Sequence, residues 1–110
     1  MEIDPENEIT PSSGNVFADM GLPDAVELQT KVRLGAAINR IAERDALTQG
    51  ALAKMLGINQ PKVSALRHYK LKGFSVERLM RFLLALEHDV EIVVRAKPRS
   101  RAARIEVRAA

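Results

Sequence analysis

Asn59, Gln60 and Lys62 stand within four consecutive positions, and together they carry groups that recognise a nucleic-acid base rather than groups that break a bond. Asparagine and glutamine amides match the donor and acceptor edge of adenine, and a lysine ammonium matches the acceptors of guanine or a phosphate oxygen. Gln49, further upstream, is placed to touch a phosphate or to brace Gln60. The usual catalytic inventories are missing by contrast. His68 and His88 have no second ligand at helical spacing, so no metal is expected. No glycine-rich phosphate loop, nucleophile elbow or buried acid pair is visible in the pattern. An enzyme is therefore not expected, nor is a cofactor. With no cysteine, disulfides, thiolate zinc sites and a cysteine nucleophile are all excluded, which fits a reducing compartment.

Such side chains can read bases only from a rigid element, and the stretch that holds them, TQGALAKMLGINQPKVSALR (residues 48–67), is patterned for one. Leu52, Met55 and Leu56 fall at helical spacing, Ala51 and Ala53 favour helix, and Thr48 is suited to cap it. Gly57 suits the left-handed position that ends a helix. After a tight turn, Asn59 can cap a second helix with Pro61 in its first turn, where a missing N–H costs little. Val63 and Leu66 turn that helix's other side toward a core. Two short helices joined by a glycine turn form a helix-turn-helix, whose second helix enters the DNA major groove. Ala65 counts against a rich base readout, because a polar residue there could reach further.

The flanking sequence supplies the support. Asp24 and Glu27 give a capping-box-like start after Pro23, and helical periodicity continues to about Arg44 with Val32, Leu34, Ile38, Ile41 and Ala42 as the expected buried stripe. Lys31, Arg33, Arg40 and Arg44 lie outward or beside it. Lys70 and Lys72 occupy a loop after the second helix, well placed for phosphate. Ser75 caps a further helix, with Phe74 and Leu79 as a hydrophobic staple and Leu79, Phe82, Leu83 and Leu86 as the largest apolar face. Arg78 and Arg81 are expected to face out. Met20, Met55 and Met80 are expected as core filler. At Val90 the period changes to two, and Val90, Ile92 and Val94 predict a strand that needs a partner, best found across a symmetric dimer.

Charge is divided along the chain. Residues 1–30 hold seven acids and no Lys or Arg, hence −7, while the remaining residues hold all 17 Lys and Arg against seven acids, hence +10. A basic body suits a polyanion, and an acidic lead-in suits solvation or a basic protein partner. Residues 1–13 lack periodicity and are expected to be disordered, residues 14–96 to form the domain, and residues 97–110, with Arg99, Arg101, Arg104 and Arg108, to be a flexible basic tail adding nonspecific phosphate contacts. One helical turn over residues 15–20 would place Phe17 and Met20 on the core. No membrane span or signal peptide is expected, which predicts a cytoplasmic protein.

Residues 47–86, LTQGALAKMLGINQPKVSALRHYKLKGFSVERLMRFLLAL, with the lead-in SSGNVFADMGLPDA and the segment DVEIVV, resemble XRE-type, lambda-repressor-like helix-turn-helix proteins. Within that group they resemble the HigA-like antitoxins of type II toxin-antitoxin modules. The resemblance implies an all-α bundle; this chain departs from it in having the C-terminal strand (Val90, Ile92, Val94), expected from its alternation to serve in dimerisation, in place of the usual fifth helix, so the group's own mode of dimerisation does not carry over. The resemblance further implies a homodimer that binds a palindromic operator in double-stranded DNA, represses its own operon and, in the antitoxin case, silences a small basic ribonuclease toxin. By position, Thr48 and Gln49 would touch the backbone, Asn59, Gln60, Lys62 and Ser64 would face the groove, and Arg67, Lys70 and Lys72 would hold phosphate. A stand-alone or phage-type repressor without a toxin, or an interaction module acting mainly by masking a toxin, are the alternatives.

Overall fold

The computed structural model describes residues 23–109, in which four helices follow one another: α1 (Pro23–Arg44), α2 (Gln49–Leu56), α3 (Gln60–Arg67) and α4 (Val76–Ala85). The expectations for residues 1–13 and for a helical turn at residues 15–20 lie outside the described residues. Asp24, expected to cap the first helix, lies instead in its first turn beside the positive end of the helix dipole, and Pro23 opens the helix.

Leu34, Ile38, Ile41 and Ala42 of α1 are buried as their spacing predicts. Val32 is not; it is 40% exposed. The stripe continues backwards through Thr30, four residues before Leu34, whereas Val32 is about 200° around the helix from Leu34. Thr30 is compatible with burial because its hydroxyl donates to the Val26 carbonyl at 2.9 Å. Helix α4 packs broadly along α1 and α3 meets α1 along a narrower seam. Phe74 and Phe82 meet edge to face, with centroids 5.9 Å apart. Leu79 is fully buried under the Phe74 staple, and Ser75 caps α4 by accepting from the Arg78 N–H at 3.0 Å. Of the methionines expected as filler, Met80 packs against the core, Met55 is 43% exposed, and Met20 lies outside the described residues.

The expected C-terminal strand is not formed: the described residues contain helices and no strand. Of the residues assigned to it, only Val90 leans on the core, whereas Ile92 and Val94 are 74% and 92% exposed. Alternating apolar residues make a strand only when a neighbouring backbone completes the ladder. Every other regular segment described is a helix whose N–H and C=O groups already pair internally, so the alternation finds no edge to join. Within the basic segment after residue 96, Val107 packs against the core.

Candidate nucleic-acid interface

Both short helices begin with a side-chain cap. Thr48 Oγ1 accepts from the Ala51 N–H at 3.0 Å, and Asn59 Oδ1 accepts from the Lys62 N–H at 2.9 Å. Between them Gly57, with φ 71°, takes the left-handed conformation and turns the chain. Val63 and Leu66 are fully buried beneath α3, which leaves Gln60 and Lys62 exposed at its start. The two helix starts lie together: a Cβ placed on Gly50 would be 3.7 Å from Gln60 Nε2 and 3.9 Å from Thr48 Oγ1. Thr48 and Gln60 therefore lie on either side of Gly50, and Gln49, beside it at the start of α2, is exposed.

Other expected residues fall at the far end of α3. Lys70 and Lys72 are exposed on the turn into α4. Ser64 is half-buried. Its carbonyl lies 2.8 Å from His68 Nδ1; a carbonyl can only accept, so that nitrogen carries the proton and His68 serves as a local cap. His88 Nδ1 makes the same kind of contact to Leu86 O at 2.8 Å. Arg67 does not reach outward: its guanidinium turns back onto α1, where Nη1 donates to the Asn39 backbone carbonyl at 3.1 Å and to Asn39 Oδ1 at 3.2 Å.

Two contributors escape a reading of the sequence. Asn39, only 4% exposed, was signalled only by an amide set inside the run from Ile38 to Ile41. Arg78 is half-buried rather than outward, its guanidinium 5.9 Å from the Phe74 centroid and 5.6 Å from that of Phe82. Lys62 Nζ lies 5.8 Å from the same Phe74 ring, so two cations flank one aromatic beside the start of α3. Phe74 and Phe82 bracketing Arg78 at helical spacing were the available sign. Arg81 does face out, paired with Glu77 at 3.0 Å. Away from this surface, the hydrogen bond from Arg44 holds the Asp45 carboxyl below its ordinary range and raises Arg44. Among the described residues no group of His, Cys, Asp or Glu could hold a metal ion, and no helix is long and apolar enough to cross a membrane.

This arrangement of a capped helix, a left-handed glycine turn and a second capped helix with exposed amides defines a helix-turn-helix domain. A family described as "Helix-turn-helix domain" matches residues 16–95. A solved structure described as "Putative XRE Family Transcriptional Regulator" is 67% identical, with a TM-score of 0.77 over 80% of this chain and 100% of its own. The chain belongs to the helix-turn-helix family and, within it, to the XRE type. No curated protein matches it.

Proposed function

We propose that this protein is a sequence-specific transcription regulator that inserts α3 into the major groove of duplex DNA. The observation that carries this reading is the exposed Gln60 and Lys62 at the start of a helix whose opposite side is locked into the core by Val63 and Leu66. Gln60, Lys62 and Ser64 face the bases, Asn59 adds its amide N–H groups, Thr48 and Gln49 meet the backbone, and Lys70 and Lys72 hold phosphate. Selecting duplexes from a random-sequence pool with the purified protein tests this. A single enriched motif, bound with an affinity that falls as salt rises, is the expected outcome; enrichment of no motif would refute it.

One small reading helix touches too little DNA for tight selective binding, so the regulator acts as a homodimer on a palindromic operator. The supporting observation is a groove lined by Met80, Leu84, Val90 and Ile92, of which Leu84 and Ile92 are exposed. The more specific role is that of a cytoplasmic autorepressing antitoxin that masks a small basic ribonuclease. It is supported by the resemblance over residues 47–86 and by the −7 charge of residues 1–30, which suits a cationic partner. Co-expression with the product of any small adjacent gene should yield a stable complex and relieve growth arrest; a neighbour that is neither toxic nor bound would leave a regulator without a toxin.

A further inference from the structure

A phosphate-holding arginine at the end of a reading helix should extend into solvent, yet the Arg67 side chain is only 26% exposed, and its Nη2 lies 3.7 Å from Glu43 Oε2. Its Nη1 is shared between the backbone carbonyl and Oδ1 of Asn39. With Oδ1 taken, Asn39 donates from Nδ2 to the Leu66 carbonyl at 3.3 Å. Asn39 and Arg67 thus tie the last turn of α3 to the middle of α1 through reciprocal hydrogen bonds, of which the one from Asn39 is buried and those from Arg67 are partly buried, a setting that strengthens them over exposed ones. The Glu43 carboxylate beside Arg67 also offsets the charge it could offer to a phosphate.

Helix α3 needs such a device. It is eight residues long; its two fully buried anchors, Val63 and Leu66, lie less than one turn apart, and Ala65 between them adds only a partly buried methyl against the core. Apolar burial is non-directional, so two such anchors leave the helix able to rock about them. Hydrogen bonds are directional, and these act at the end opposite to Gln60. Over a lever of about 10 Å, a tilt of about 10° moves the reading end by nearly 2 Å, more than a bidentate base contact tolerates.

We propose that Asn39 and Arg67 are positioning residues that set the angle of α3 against α1, and that Arg67 governs DNA recognition through that angle and not by holding a phosphate. This rests on the DNA-reading role of α3 proposed above. The test compares wild type, Arg67→Lys, Arg67→Met and Asn39→Ala, with Lys70→Ala as the phosphate control. Each is measured against the duplex recovered by selection and a scrambled duplex of equal length, across a range of salt concentrations. Both Arg67 variants should lose about tenfold in affinity for the selected duplex, comparable to one bidentate base contact. They should retain scrambled-duplex affinity and the wild-type salt slope, while Lys70→Ala lowers the slope. Amide exchange at Tyr69 and Lys70, whose N–H groups bond to the last turn of α3, should quicken in every clamp variant. Arg67→Lys keeps charge and stem, so it serves if Asn39→Ala does not fold. The proposal is overturned if Arg67→Lys binds like wild type while Arg67→Met loses equally on both duplexes with a slope shallower by about 0.9, the signature of one lost phosphate contact. Should the wild type recover no duplex, the DNA-reading role fails, and amide exchange alone then judges the clamp: faster exchange supports it and unchanged exchange refutes it.

Discussion

Two neighbouring amides of the same chemistry have been given different work. Asn59 uses its side-chain oxygen to accept from the Lys62 N–H, so it cannot offer the acceptor and donor together to an adenine edge without releasing the helix start. Gln60 is exposed, and among the described residues no hydrogen bond occupies its amide, so in the proposed complex bidentate readout would fall to it. Asn59→Ala should lower stability by about 1 kcal/mol through loss of the cap, read as a lower thermal midpoint, and Asn59→Asp should restore most of it. Gln60→Ala should leave the midpoint unchanged but cost about 1 to 3 kcal/mol on the selected duplex alone, whereas Lys70→Ala should weaken selected and scrambled duplexes alike. Equal losses on both duplexes for Gln60→Ala would remove it from the reading set. The Arg81–Glu77 pair, with both side chains 71% exposed, should contribute little to stability in any of these variants.

Helix ends are the elements' common device. All four helices close with the same backbone pattern, in which an N–H just past the helix end reaches back five residues to a carbonyl: Leu47 to Ala42, Ile58 to Ala53, Lys70 to Ala65 and His88 to Leu83. The pattern needs one residue in the left-handed region. Only α2 supplies a glycine, Gly57; elsewhere the position is filled by Ala46 (φ 53°), Tyr69 (φ 60°) and Glu87 (φ 64°). Each of these carries the Cβ strain that glycine avoids. Ala46→Gly and Glu87→Gly, both at exposed positions, should therefore each stabilise the fold by about 0.5 to 1 kcal/mol, seen as a higher denaturant midpoint with an unchanged slope. Gly57→Ala should cost about 1 kcal/mol. A Cβ there would meet nothing within 4 Å, so that loss would report backbone strain alone. A midpoint unmoved by these changes would contradict the assigned helix ends.

At the scale of the whole molecule, two of the exposed apolar residues, Leu84 and Ile92, line one groove with Met80 and Val90. Leu84 and Ile92 are 54% and 74% exposed, and the Glu77–Arg81 pair borders the groove beside them. Leu84→Glu should yield monomers that keep their helical content, because the side chain lies outside the core, and should reduce affinity for a palindromic duplex far more than for a single half-site. Sedimentation of wild type and variant gives the measurement. A monomeric wild type at micromolar concentration would refute the proposed homodimer, and a dimeric variant would move its contact elsewhere.

The sequence by itself determined the helix-turn-helix. Thr48, Gly57, Asn59 and Ser75 act through bonds to backbone within a few residues, and periodic apolar positions such as Leu34, Ile38 and Leu79 have only one side to bury, so local chemistry was sufficient. What tertiary structure decided depended on partners far along the chain. Arg67 looked like a free cation until Asn39, distant in sequence, was placed beneath it. Arg78 looked like an outward charge until Phe74 and Phe82 flanked it. The alternation at Val90, Ile92 and Val94 looked like a strand, but a strand is a relation between two backbones, and one sequence pattern cannot state whether the second is there. The left-handed Ala46, Tyr69 and Glu87 were illegible for a related reason: nothing in those residue types favours that conformation, which the packing of each following segment imposes against their own preference.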